Sequence, residues 1–237
     1  MKLFNLDSPL IQFLSKMADL MWVNILTLIL CLPIVTAGAA LTAMHYVCLK
    51  IVRDEECYIT KSFFHSFKEN FLQSTGLWLI MLFIAGVLGT DLYLMYLQAI
   101  QVPAVIRIVI IAITVFAVLI GLMVFPIQAK FTNPIRGTLK NALIVTMLQF
   151  PKVLLMLVLY LLPFVLAYFF LQIFPVVVLL GLSLPAFVSA MLYNKIFKKM
   201  EDRYYEAHPE ANDPGAEDEH IFSDTPLIPE DRTGAEK

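Results

Sequence analysis

Charge is what this chain has least of. Asp, Glu, Lys and Arg make up 15% of its 237 residues while 59% are hydrophobic, against the ~25% charge usual in soluble domains. Too little polar surface remains to coat a globule in water, which excludes an ordinary soluble fold. Cysteine is scarce as well: Cys31, Cys48 and Cys57 have neither an even count nor C-x-x-C spacing, so they read as small apolar residues rather than a disulfide framework or redox site. The chain lacks the phosphate loop G-x-x-x-x-G-K-[ST], H-E-x-x-H, G-x-S-x-G and any Cys/His cluster. A Walker-type ATPase is thereby excluded. The expectation is a protein that is not an enzyme, takes no metal or cofactor, and binds no nucleic acid. No cleavable signal peptide is expected, because residues 1–19 are polar and amphipathic and the apolar stretch behind them is too long for an h-region.

What the chain does have is long apolar runs. About 20 residues at 1.5 Å each carry a helix across the ~30 Å hydrocarbon layer. Four runs fit: residues 76–97, interrupted by Asp91, residues 108–129, residues 153–174 with Pro163, and residues 175–194 with Pro185. Residues 20–49 are uncharged but carry a break at Pro33, Thr36 and Gly38. Pro33 lacks the amide a continuous helix needs, and Thr36 is placed to cap a new helix. This region is either one kinked span or two helices in a hairpin. The expected fold is all-α, a polytopic transmembrane bundle of five spans, or six with the hairpin, plus an interfacial amphipathic helix. Its divisions are an amphipathic segment 1–19, a membrane domain 20–200, and an acidic tail 201–237 expected to be disordered.

Basic residues set the orientation, since they are retained on the cytoplasmic side. Residues 1–200 hold 14 Lys and Arg against 7 Asp and Glu, whereas 201–237 hold 3 against 12. Lys50, Arg53, Lys61 and Lys68 mark one inner loop, Lys130, Arg136, Lys140 and Lys152 a second, and Lys195, Lys198 and Lys199 the segment after the last span. The carboxyl terminus is therefore expected inside. A single first span would put the amino terminus outside, and a hairpin would put it inside.

The first inner loop opens on Asp54, Glu55 and Glu56, then offers Thr60 as an N-cap and a helix with Phe63, Phe64, Phe67 and Phe71 on one side against Lys61, His65, Lys68 and Glu69. That pattern predicts an interfacial helix. Its second reading is a docking loop for a cytoplasmic partner. A slide of 71 residues lays Asn70 and Leu72 on Asn141 and Leu143, the hint of an internal repeat.

Residues 30–39, Thr42-Ala43-Met44, residues 49–56 and 62–71, and later Lys140-Asn141-Ala142-Leu143 together resemble the bacterial YesL family. The resemblance covers roughly residues 3–200 and is most specific in the first seventy. It implies a small multi-pass protein of the bacterial plasma membrane with an accessory role beside carbohydrate ABC importers, and it supplies no catalytic residues. ABC importer permeases are the partners it implies, besides the bilayer itself. A homo-oligomer is compatible with it.

Ionisable residues at membrane depth are costly, and so they are the first functional candidates. Asp91 and Arg107, near facing ends of two successive spans, are expected to pair, either as a structural ion pair or beside a polar solute. His45 reads as hydrogen-bonded within the bundle. Pro163 and Pro185 are expected to kink their spans, and broken-helix solute binding is their alternative role. Trp22, Trp78, Tyr93, Tyr96 and Tyr193 read as markers of the water–lipid boundary. The leading function is a non-enzymatic accessory or assembly subunit of a carbohydrate importer, and the alternative is a self-contained solute transporter or channel-like protein.

Overall fold

A computed structural model describes residues 9–55, 58–97, 103–131 and 133–207. Among the described residues every regular element is helical. Helix α1 (Pro9–Cys31) leads through a 3-10 turn at Ile34–Thr36 into α2 (Ala37–Val52). Then come α3 (Ile59–Glu69), α4 (Phe71–Tyr96), α5 (Ala104–Lys130), α6 (Ile135–Leu148) and α7 (Phe150–Phe169). A second 3-10 turn at Leu171–Ile173 opens on α8 (Phe174–Leu180) and α9 (Ser183–Ala207). Five helical stretches, in α1, in α2 with the turn before it, and in α4, α5 and α7, are long and apolar enough to cross a membrane, and α8 with α9, bent by 57°, counts as a sixth when the pair is taken as one broken span. The protein is a multi-pass membrane helical bundle.

The region around Pro33 is a hairpin. Lys16, in the first half of α1, meets Asp54 just past the end of α2 at 2.6 Å. Trp22 Nε1 donates to Thr60 Oγ1 at 2.9 Å, so α1 and α2 run antiparallel. Pro33 starts the turn because it has no N–H to give and its ring excludes the carbonyl one turn back. Thr36 behaves differently from the expectation. Its hydroxyl donates to the carbonyls of Leu30 and of Pro33 and makes no cap bond to α2. It therefore closes the carboxyl end of α1 rather than opening α2. Gly38 lets α2 approach α4: a Cβ there would stand 2.5 Å from the Ser74 carbonyl oxygen and from Trp78 Cβ.

The same chemistry breaks the last span. Pro185 cannot bond the Gly181 carbonyl four residues back, and the helix stops at Leu180 and restarts at Ser183. Pro163, by contrast, lies inside an unbroken α7.

Helix α2 is the centre of the bundle. Ala39, Ala40, Ala43, Met44, Val47 and Cys48 are fully buried, and the small side chains allow close packing against α1, α4, α5 and α9. Helices α4, α5 and α7 turn Phe83, Ile108 and Val158 outward, as lipid-facing helices do.

A recurring arrangement is visible: α3 folds back on α2 before α4 leaves, and α6 folds back on α5 before α7 leaves. The repeat has a different register from the one expected. Asn70 joins α3 to α4 and Gln149 joins α6 to α7, whereas Asn141 lies within α6. Helix α1 begins at Pro9 and α9 continues to Ala207, so helical structure reaches into both flanking segments. Residues 208–237, Glu56 and Cys57 lie outside the described residues.

Candidate functional site

Polar side chains sunk in an apolar bundle must find partners in one another. Asn24 of α1 is fully buried and faces the α8–α9 break. Its Oδ1 accepts the backbone N–H groups of Leu182 at 3.0 Å and Ser183 at 2.9 Å. Its Nδ2 donates to the Val178 carbonyl at 2.8 Å. One amide thus holds both sides of the interruption.

His45 of α2 lies between two phenols. Its Nδ1 is 3.3 Å from Tyr193 Oη and its Nε2 is 3.2 Å from Tyr160 Oη. A neutral imidazole has one donor and one acceptor nitrogen, so one phenol accepts and the other donates. Nearby, Thr42 and Ser74 hydroxyls share a bond of 2.9 Å between α2 and α4. His45 is hydrogen-bonded within the bundle, as its apolar helix implied. Tyr193 is corrected: it is 1% exposed and belongs to this central group rather than to the lipid boundary. Trp78 likewise spends its indole N–H on the Ile34 carbonyl, 2.7 Å away, and only Trp22, Tyr93 and Tyr96 of that set are exposed.

A charged clamp joins the carboxyl ends of α2 and α5 to the second half of α9. Glu201 bridges Lys130 and, at 3.2 Å, Arg53, whose Nε donates to Asn194 Oδ1 at 2.9 Å. Cations are favoured at these ends because unsatisfied carbonyls accumulate negative partial charge there. The clamp is well shielded: the Lys130 side chain is 0% exposed, and Arg53 and Glu201 are 10% and 13%. Beside it, burial pushes the Glu55 carboxyl above its ordinary range, while Arg53, Lys50 and Lys130 pull the other way. A second relay ties the short helices down. Gln128 Nε2 donates to Asn70 Oδ1 at 3.1 Å and Thr138 Oγ1 donates to Gln128 Oε1 at 3.0 Å.

On α3, the structure places Phe63 fully inside, Phe67 and Phe71 half-buried, and Phe64 at the surface. Asp54 is exposed and holds a positive φ of 56°. With Glu55 N–H bonded to Lys50 O and Asp54 N–H to Ile51 O, it forms the left-handed stop that usually takes glycine. The outer side of α3 is an open, shallow surface formed by Tyr58, Lys61, Phe64, His65 and Lys68.

Asp91 and Arg107 are not brought together. Both are exposed, and no ion pair between them is among those formed by the described residues. Each stands on a helix end that is exposed all round, residues 89–91 of α4 and 104–109 of α5. The groups that sequence reasoning missed, Asn24, Tyr160, Lys130 and Glu201, had one readable signal: Asn24 is a lone amide inside an uncharged run. Among the described residues, no three His, Cys, Asp or Glu side chains gather as a metal site requires.

Residues 20–92 match the family described as a protein of unknown function, DUF624. This is broadly the YesL-type membrane family, and the matched stretch runs from the middle of α1 into the last turns of α4. It contains the hairpin, His45, Arg53, the whole of α3 and Asp91, and it leaves α5–α9 outside. No curated protein and no solved structure gives a significant match.

Proposed function

We propose that this protein is a non-enzymatic accessory or assembly subunit of a carbohydrate importer in the bacterial plasma membrane, with its carboxyl terminus in the cytoplasm. The importer half of that reading rests on the YesL resemblance alone; the DUF624 match over residues 20–92 supports the family and not the importer. The orientation rests on the Lys and Arg content of the loops.

The observation that carries the accessory role is the outward placement of Asp91 and Arg107. The central polar group is spent internally, with both ring nitrogens of His45 engaged, while the buried hydroxyls of Thr146 and Ser183 make no hydrogen bond. Two charges on the periphery of neighbouring spans are instead offered to whatever surrounds the bundle. Lipid is a poor partner for them, and a permease helix is a good one.

The transporter reading draws on the interrupted α8–α9 span, since exposed backbone at such breaks coordinates solutes in some transporters. Asn24 already occupies the amides and a carbonyl there, which favours the accessory role. Purification in mild detergent tests the choice. Importer permeases should co-purify with the wild type and be lost with a double Asp91→Asn, Arg107→Gln variant. Solute flux in vesicles containing this protein alone would overturn the accessory reading.

A further inference from the structure

The outer side of α3 combines three features: fixed orientation, positive charge and aromatic rings at the membrane edge. Orientation is fixed because Phe63 and Ser66, 0% and 1% exposed, pack inward, and the indole of Trp22 holds the Thr60 hydroxyl at 2.9 Å. The opposite side then presents Lys61, His65 and Lys68, spaced i, i+4 and i+7 and therefore stacked on one face of the helix. All three line this shallow, open groove together with Tyr58, 84% exposed, and Phe64, 36% exposed. Among the described residues of α3 the acidic side chain is Glu69, whose carboxylate lies 3.5 Å from His65 Nε2. That leaves the two lysines to set the sign of the groove.

We propose that this groove binds the phosphate of an anionic phospholipid headgroup, held by Lys61 and Lys68, with Tyr58 and Phe64 against the glycerol and upper acyl region. Helix α3 is an amphipathic segment between the apolar helices α2 and α4, with charged groups along its exposed side, the pattern of a helix that settles at headgroup level. The aromatic rings favour a lipid over a free anion, because rings at the headgroup level gain from contact with both the polar and the apolar layer. They also favour it over the chain's own acidic segment after Glu201, which has few apolar residues to offer them. Lysine suits the task as a flexible point charge beside an anionic surface.

Trp22 provides the reporter. In a full-length Trp78→Phe variant in neutral detergent, Trp22 is the remaining tryptophan, and its emission is followed as lipid is added. Phosphatidylglycerol should shift that emission saturably, weaken with added salt, and bind at least tenfold less well to Lys61→Gln/Lys68→Gln. The conservative Lys61→Arg/Lys68→Arg pair should retain binding. Both lysines are exposed, and an unchanged unfolding midpoint in each variant confirms that the fold is intact. Equal response to phosphatidylcholine would overturn the proposal, as would saturation by inorganic phosphate at the same concentration. So would a synthetic peptide of residues 208–237 that displaces the lipid at equimolar amounts, since the groove would then belong to the tail. None of these readings involves a permease, so the result stands apart from the importer assignment.

Discussion

The side chain of Asn24 accepts the backbone N–H of Ser183 at 2.9 Å, joining the first span to the restart of the last one. The bond exists because the break between Leu180 and Ser183 leaves the N–H groups of the restart without a carbonyl one turn back, and membrane interiors leave no water to take over. Asn24→Leu removes it along with the bonds to Leu182 and Val178. Each buried group left unpaired costs roughly 1–3 kcal/mol. Unfolding of the detergent-solubilised protein should therefore show a loss of several kcal/mol.

Gly38 is a question of space. Its missing Cβ lies where Ser74 O and Trp78 Cβ already stand, so Gly38→Leu must push α4 off α2. Gly86, further along α4, has nothing within 4 Å of its corresponding position. Overpacking costs typically ~1–3 kcal/mol or more, so Gly38→Leu should lower the thermal midpoint clearly while Gly86→Leu leaves it nearly unchanged. Equal effects would contradict the close approach of α2 and α4.

Glu201 is the hub of the clamp. Glu201→Gln leaves Lys130 and Arg53 shielded without their carboxylate, and breaking one side of a buried pair costs on the order of 3–5 kcal/mol. Lys130→Met with Glu201→Gln together should be milder than Glu201→Gln alone, because the most deeply buried cation leaves with its partner. A double-mutant cycle on unfolding free energies reads the coupling.

Glu55 gives the pH dependence a sign. Its folded-state pKa is raised, with burial the leading cause. The fold thus prefers the neutral carboxyl, and that contribution is fully present below the ordinary carboxylate pKa and is lost as pH rises through the folded value. Glu55→Gln should flatten stability against pH in the acid range and raise it modestly at neutral pH. The group is half-exposed, so solvent screening keeps the effect small.

Much of this architecture could be read from the sequence, and the particular residues show why. Residues 108–129 and 76–97 declare themselves as spans because hydrophobic length is a local property. The Pro33 break was equally plain, and charge alone left its meaning open, since basic residues fix the loops from Lys50 onward and leave the chain before it free. Contacts between distant positions, Lys16 with Asp54 and Trp22 with Thr60, decide the hairpin. The polar core was legible only in part. His45 announced a bonded histidine, yet Tyr160 and Tyr193 come from helices more than a hundred residues away, and aromatic residues look the same in sequence whether they line a core or a lipid boundary. Asp91 and Arg107 failed as a pair because matched depth along two helices says nothing about rotation around each axis.

The central claim is that α1 and α2 form a hairpin, placing the start of α1, the helix α3 and the end of α9 on one side of the membrane. Single cysteines at Lys16, Lys61 and Lys199, in a background with the three native cysteines replaced by alanine, report this through a membrane-impermeant maleimide applied to sealed right-side-out vesicles and then to opened ones. All three should be protected until the vesicles are opened. Labelling of Lys16→Cys in sealed vesicles, with Lys61→Cys and Lys199→Cys still protected, would contradict the hairpin.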